Sequence, residues 1–200
     1  MRVQEIKTVF INPDHNLKYS LRKAHMESLL NTLGFNDITH YKSGSEKYPH
    51  CLTLAIIEIL KNNMEQPVLI LEDDIEFTGV EEFILDTTAD AIYFGISKSA
   101  GSKTCNKDEG YSQFAPWSST QSRVMNMLSA HAVLYISPRY KRAVIDTLLS
   151  HIGKNYYNDV LISRLQPEFV ILANKKPSFF QSHRFNSGMH EELYTKFELE

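Results

Sequence analysis

Four apolar residues, Val68-Leu69-Ile70-Leu71, run directly into three consecutive acids, Glu72-Asp73-Asp74. A short apolar run of this kind reads as a strand buried on both faces, as in a parallel sheet covered by helices. The acids at its exit repel one another, and burying any of them unpaired is costly. A bound cation is the usual compensation, and hard oxygen donors suit Mg²⁺ or Mn²⁺. Mg²⁺ in particular is commonly held through one or two carboxylates together with substrate phosphates. The segment therefore points to a metal–nucleotide site at the carboxyl edge of an α/β sheet, where ligands of open sheets sit. A strand entering a solvated acidic turn is the plainer reading of the same residues.

The rest of the chain alternates between the two periods. Residues 8–11 read as a first strand that stops at Asn12-Pro13-Asp14, because Pro13 cannot donate to a ladder. Met26, Leu29, Leu30 and Leu33 follow helical spacing from about Lys18, and Gly34 sits where a left-handed cap belongs. Residues 36–41 suit a short strand. Leu52, Ala55, Ile56, Ile59 and Leu60 form a second helical stripe. Further strands are expected at 91–94, 132–136 and 169–172. Ser137-Pro138 opens a helix with an N-cap and a first-turn proline. Asn158 is read as the cap of a short helix through Arg164. Residues 97–123 are rich in Ser, Gly, Lys and Asn and show no sustained period, which predicts a flexible loop or lid. The tail after Pro177 is expected to be irregular. Together these signals predict one α/β domain over 1–200, with a mostly parallel central sheet flanked by helices.

Composition narrows the function classes. The 200 residues are 42% hydrophobic and 22% charged, as in soluble globular proteins. A net charge of −3 with no basic stripe gives no electrostatic case for nucleic acid. The first residues are polar and charged, unlike a signal peptide, and no apolar run approaches the roughly 20 residues of a membrane span. Cys51 and Cys105 lack metal-ligand spacing, so a reduced, cytoplasmic chain without structural zinc is expected.

In order, these pieces resemble glycosyltransferase family 25, the group of lipopolysaccharide and collagen galactosyltransferase-like proteins. The matching residues are Ile11-Asn12, Arg22, Leu33-Gly34-Phe35, the helix from His50 and the acidic block of residues 68–77, which is similar to the family's LEDD block. Residues 130–137, Asn158-Asp159 and the stretch from Pro177 to Gln181 follow in the family's order. The acidic block is the specific piece, and the others are individually weak. Asn12-Pro13-Asp14-His15 departs from the family's Asn-Leu-Asp-Arg type run. The resemblance implies the GT-A fold, a Rossmann-like architecture. It also implies a metal-dependent hexosyltransferase using a nucleotide-diphosphate sugar, a UDP-sugar above all, with a glycan or other hydroxyl acceptor and an inverting outcome.

The resemblance further implies roles. Asp74 would bind Mn²⁺ or Mg²⁺ directly, Glu72 would touch the ribose or a metal-bound water, and Asp73 would fill either role. Asp159 would be the base, against a plain reading as a first-turn aspartate favoured by the helix dipole. Asp86, Asp90 and Asp108 are weaker rivals. His183 follows the family-like ending as a further metal ligand, against a reading as a surface histidine. Arg184 could fork onto a phosphate. Asn12 and Asp14, at a strand end, could touch the base or ribose, or simply form a turn. Trp117 and Tyr111 could stack on a sugar or merely anchor their loop. The competing function is a non-catalytic nucleotide-sugar or glycan-binding module of degenerate glycosyltransferase fold. Phosphatase and receiver-domain readings fail because their acids belong near the first strand.

Overall fold

A computed structural model describes residues 2–44, 46–182, 184–185 and 194–195. Its centre is an eight-stranded sheet, built from β1 (Lys7–Asn12), β2 (Ile38–Lys42), β3 (Val68–Glu72), β5 (Ala91–Tyr93), β9 (Gln113–Pro116), β10 (Gln121–Asn126), β11 (Ala132–Tyr135) and β12 (Ile171–Asn174). The spatial order is β2-β1-β3-β11-β5-β12-β10-β9. Only β10 and β11 run against the others, so the sheet is mixed but mostly one-directional. Small two-stranded ribbons surround it: β13 (Phe179–Gln181) on β4 (Ile75–Phe77), β14 (Tyr194–Thr195) on β6 (Ile96–Ser97), and β7 (Ser99–Gly101) on β8 (Asp108–Tyr111). The helices are α1 (Leu17–Thr32), α2 (His50–Asn62), α3 (Pro138–Ser150) and α4 (Asn158–Ser163). Among the described residues no helix is long and apolar enough to cross a membrane.

Strand alternation divides the core into two layers. Val9, Ile11, Val68 and Ile70 pack beneath α2, α3 and α4, whereas Phe10, Leu69 and Leu71 pack against Met26 and Leu30 of α1. Covering both faces is what lets β3 be apolar throughout. From β1 the chain moves outward through α1 to β2, then returns through α2 on the opposite face to β3. The carboxyl ends of β1 and β3 therefore meet at a topological switch point, the place where open α/β sheets make a crevice.

Local chemistry accounts for the boundaries. Asn16 caps α1 by accepting from the Tyr19 N–H at 3.2 Å, and Gly34 takes the left-handed φ of +77°. Ser137 caps α3, with Pro138 in the first turn. At α4 the cap position belongs to Tyr157 and Asn158 is already helical, since the Asn158 amide is engaged with Thr53 instead. Residues 97–123 carry strands β7, β8, β9 and the start of β10 where the sequence showed no period. Those strands are short, and β8 is exposed along its length, so no inside–outside alternation is written into them. The tail after Pro177 likewise forms β13, paired with β4. The last sheet strand runs over Ile171–Asn174, two residues beyond the expected span.

At the sheet edge away from the crevice, Asp90 fastens β5 to α3. Its carboxylate accepts from the Ser137 hydroxyl, from Arg139 Nε at 2.7 Å and from the Val170 N–H at 2.8 Å. Burial alone would raise its pKa, but Arg139, Ser137 and Val170 outweigh it and hold the carboxyl below its ordinary 3.8. A depressed folded pKa contributes stability above the unfolded pKa, lost as pH falls through the folded value. Asp90→Ala is therefore expected to cost about 2–3 kcal/mol at neutral pH, in chemical denaturation. The gap to the wild type should narrow below about pH 4. An unchanged gap down to acid pH would show that the carboxylate's charge is not what matters.

Candidate active site

The crevice is a cavity of about 330 Å³. Ile11 and Pro13 enter it from the end of β1, Glu72, Asp73 and Asp74 from the end of β3, and Ser129 from the chain leading into β11. Lys18, Tyr19 and Arg22 line it from α1, Cys51 and Leu52 from α2, Asn158 and Asp159 from α4, and Gln181 from β13. With Ser43 from the exit of β2, eight separate stretches of chain thus meet at the switch point.

Each of the three adjacent acids has a different setting. Asp73 is the tethered one: Arg22 donates to its Oδ1 at 2.8 Å and the Asn12 amide to its Oδ2 at 2.6 Å. Arg22 also donates to the Phe185 carbonyl. Arg22 and Asp73 are both buried, and burial raises the Asp73 pKa while Arg22 opposes the rise. Glu72 and Asp74 share one partner, since Gln181 Nε2 lies 3.0 Å from Glu72 Oε2 and 3.2 Å from Asp74 Oδ1. The Glu72 carboxyl is pushed well above the ordinary range, first by burial and then by the charges of Asp74, Asp159 and Asp73.

Asp159 stands at the start of α4. Its carboxylate accepts from the Val160 N–H at 2.9 Å and from the Ser129 N–H at 3.3 Å. Burial raises its pKa and these backbone donors oppose the rise. Ser129 adopts a φ of +81°, an unusual conformation for a non-glycine residue, in presenting that N–H. Beside Asp159, Asn158 is buried and its Oδ1 lies 2.6 Å from Thr53 Oγ1, while its Nδ2 has no partner. An orphaned donor in a buried amide is expensive unless a ligand supplies an acceptor.

The donor set is consistent with a hard cation, because the acids that converge are oxygen ligands with more negative charge than burial tolerates. Among the described residues no group of three His, Cys, Asp or Glu forms a ready-made cage. Glu72 and Asp74, on either side of Gln181, are the two carboxylates that could hold such an ion.

The remaining expected site residues lie as follows. Asn12 is fully buried, and its Nδ2 donates to the Tyr19 carbonyl as well as to Asp73. Asp14 pairs with Lys23 at 3.2 Å, outside the cavity lining. Arg184 is exposed, 3.9 Å from Glu76. His183 lies outside the described residues. Of the rival acids, Asp86 accepts from the Trp117 indole at 3.0 Å, Asp90 belongs to the far edge, and Asp108 sits on exposed β8. Trp117 and Tyr111 do not line the cavity.

Asn158 entered the sequence reading as a helix cap and a piece of the resemblance, Gln181 only as the end of a matching stretch and Lys18 only as a helix start; none was given a role in the site. Arg22 did leave a trace, for it stands four residues before Met26, in line with Met26 and Leu30 on the buried face of α1. An arginine in register with an apolar stripe calls for a buried acid.

No family model matches the sequence, and no curated protein matches it significantly. Several solved structures align with it over most of its length. CTP:phosphocholine cytidylyltransferase from Streptococcus pneumoniae aligns over 89% of this chain and 93% of its own, with 6% identity and a TM-score of 0.46. A glycosyltransferase involved in glycosylation of the major capsid of PBCV-1 aligns over 76% and 71%, with 12% identity and a TM-score of 0.46. A nucleoside-diphosphate-sugar pyrophosphorylase from Vibrio cholerae aligns over 82% and 70%, with 12% identity and a TM-score of 0.43. Scores of this size do not transfer a function.

Removing one member of the Arg22–Asp73 pair leaves the other charge buried without its counter-ion. Arg22→Met is expected to cost about 3–5 kcal/mol in urea denaturation. Arg22→Met combined with Asp73→Asn should recover much of that loss, because the stranded charge is gone. Additive costs in the double variant would rule out a direct pair.

Proposed function

We propose that the protein is a metal-dependent glycosyltransferase that moves a hexose from a nucleotide-diphosphate sugar, a UDP-sugar, to a hydroxyl acceptor with inversion. The observation that carries this reading is the meeting of Glu72, Asp74 and Asp159 in one crevice at the switch point, with Lys18 on its wall.

Glu72 and Asp74 would hold Mn²⁺ or Mg²⁺, which when bound supplies Lewis-acid neutralisation of the departing diphosphate. Lys18 adds a point charge for the same phosphates. Arg22 and Asn12 act through Asp73, fixing the turn from which Glu72 and Asp74 project. Asn158 has an amide to offer to a ligand hydroxyl or carbonyl. In the transfer, the acceptor oxygen bonds to the anomeric carbon while the bond to the diphosphate oxygen breaks. The diphosphate leaves with the bonding electron pair, and the acceptor proton passes to Asp159. The raised pKa of Asp159 suits that role, since a weaker acid is a stronger base.

Calorimetry separates donor binding from chemistry. Asp74→Asn should abolish the Mn²⁺-dependent part of UDP binding with the fold intact by circular dichroism; equal metal-dependent affinity would remove the metal site from these acids. Asp159→Asn should lower kcat by about 10²–10⁴-fold with donor affinity nearly unchanged. An α-linked donor should give a β-linked product in the anomeric proton NMR signal. Near-normal turnover would exclude Asp159 as base, and an α product would exclude inversion. UDP-sugar binding with no transfer or hydrolysis in the wild type would leave a binding module instead.

A further inference from the structure

We propose that a second trough beside the crevice is the acceptor subsite and takes a glycan on tyrosine faces; this rests on the transferase reading above. The trough has a volume of about 440 Å³ and lies between the start of α2, the end of α3 and the chain leading into α4. Tyr48, His50, His151, Ile152 and Tyr156 are among its walls.

Position is the first argument. Tyr48 lines both the trough and the crevice, so the two spaces share a wall. Tyr156 lines the trough, and Asn158 and Asp159, two and three residues later, line the crevice. Glu72, Asp73 and Asp74 line only the crevice. None of Glu72, Asp73, Asp74 and Asp159 lines the trough, so an acceptor seated there would pass its hydroxyl to Asp159 across the shared Tyr48 wall, on a side not formed by the acids assigned to the diphosphate.

Surface chemistry is the second. Of the trough's walls Tyr48 is 65% exposed and Ile152 39%, and Tyr157, outside the lining, is 43% exposed. The Tyr48 and Tyr157 rings lie 5.9 Å apart. The Tyr156 ring is held edge-to-face by His151 at 5.2 Å, with the Arg164 guanidinium 5.5 Å from its centre. Tyr156 is half-buried against the core with Arg164 over its ring, so it offers only the part left uncovered, whereas Tyr48 offers an exposed ring; side chains fixed in advance present such surfaces at little entropic cost. Glu46, His50 and Asn155 place hydrogen-bonding groups around them. Flat apolar faces with polar groups at the rim complement a pyranose, whose C–H face is apolar and whose edge carries hydroxyls.

The test uses protein labelled with 3-fluorotyrosine, with the Tyr48 and Tyr156 signals assigned by Tyr→Phe variants. It is titrated with lactose, methyl β-galactoside and methyl β-glucoside, while Mn²⁺-dependent UDP binding is measured by calorimetry on the same material. At least one glycoside should move the Tyr48 and Tyr156 ¹⁹F signals and leave that of Tyr111, on exposed β8, in place. Tyr156→Ala should weaken that glycoside about five- to tenfold and leave UDP affinity unchanged. His151→Ala, which frees the Tyr156 ring without removing it, should weaken it in the same direction and serves if Tyr156→Ala does not fold. No shift with any of the three sugars, or equal affinity in the folded variants, would overturn the trough as a glycan subsite. Glycoside binding without Mn²⁺-dependent UDP binding would support the trough and overturn the transferase reading.

Discussion

The Arg22–Asp73 pair decides where the neighbouring acids can point. It joins the first turns of α1 to the exit of β3, while Arg22 reaches on to the carbonyl of Phe185 and Asn12 closes the other side of Asp73. One guanidinium therefore ties together the amino-terminal βα unit, the acidic turn and the segment at Phe185. Buried ion pairs seldom add net stability over apolar packing. Their better-attested use is to enforce one arrangement, because any other leaves a charge stranded. Here that arrangement leaves Glu72 and Asp74 on the crevice wall with Gln181 between them.

The two layers of the core serve the same end. Alternate residues of β1 and β3 are claimed by α1 on one face and by α2, α3 and α4 on the other. A crevice forms where the helices part, and Glu72 follows Val68 and Ile70 in the alternation, which sends it toward the face covered by α2 and α4. Gly95 shows how tightly the neighbouring space is filled. A Cβ built there would lie 1.8 Å from Nε2 of buried His131, so the backbone can pass that imidazole only without a side chain. Burial also pushes the His131 pKa down to about 4, which keeps the ring neutral beneath the acids.

Much of this was legible in the sequence where period and burial coincide. The apolar run of β3, the stripe of α2 and the Ser137-Pro138 start of α3 each obey a local rule, and each formed near its expected place. The acids at the exit of β3 were visible because they follow an apolar run directly. Gln181 and Asn158 were named there without a site role, since their importance lies in contacts with residues about a hundred positions away. The short strands over 97–123 escaped for another reason: strands this brief, β8 exposed throughout and β7 buried throughout, carry no alternation to read. Ser129 illustrates a third kind of silence. Nothing in its identity announces a positive φ, which Gly or Asn would have signalled.

The charge of the crevice links stability to the proposed chemistry. Glu72 is driven above its ordinary pKa by burial and by three neighbouring carboxylates. Its folded state thus holds a proton more tightly than the unfolded chain, and stability falls as pH rises from the unfolded value through the folded one. Keeping that carboxyl charged in its buried place carries an electrostatic deficit. A divalent cation on Glu72 and Asp74 would remove the same deficit, and would compete with the proton for it. Gln181 meets the deficit only in part, because an amide offers dipoles where a charge is wanted. The run of acids that is costly to bury is, on the proposed function, what would favour a ligand that brings a cation with its phosphates.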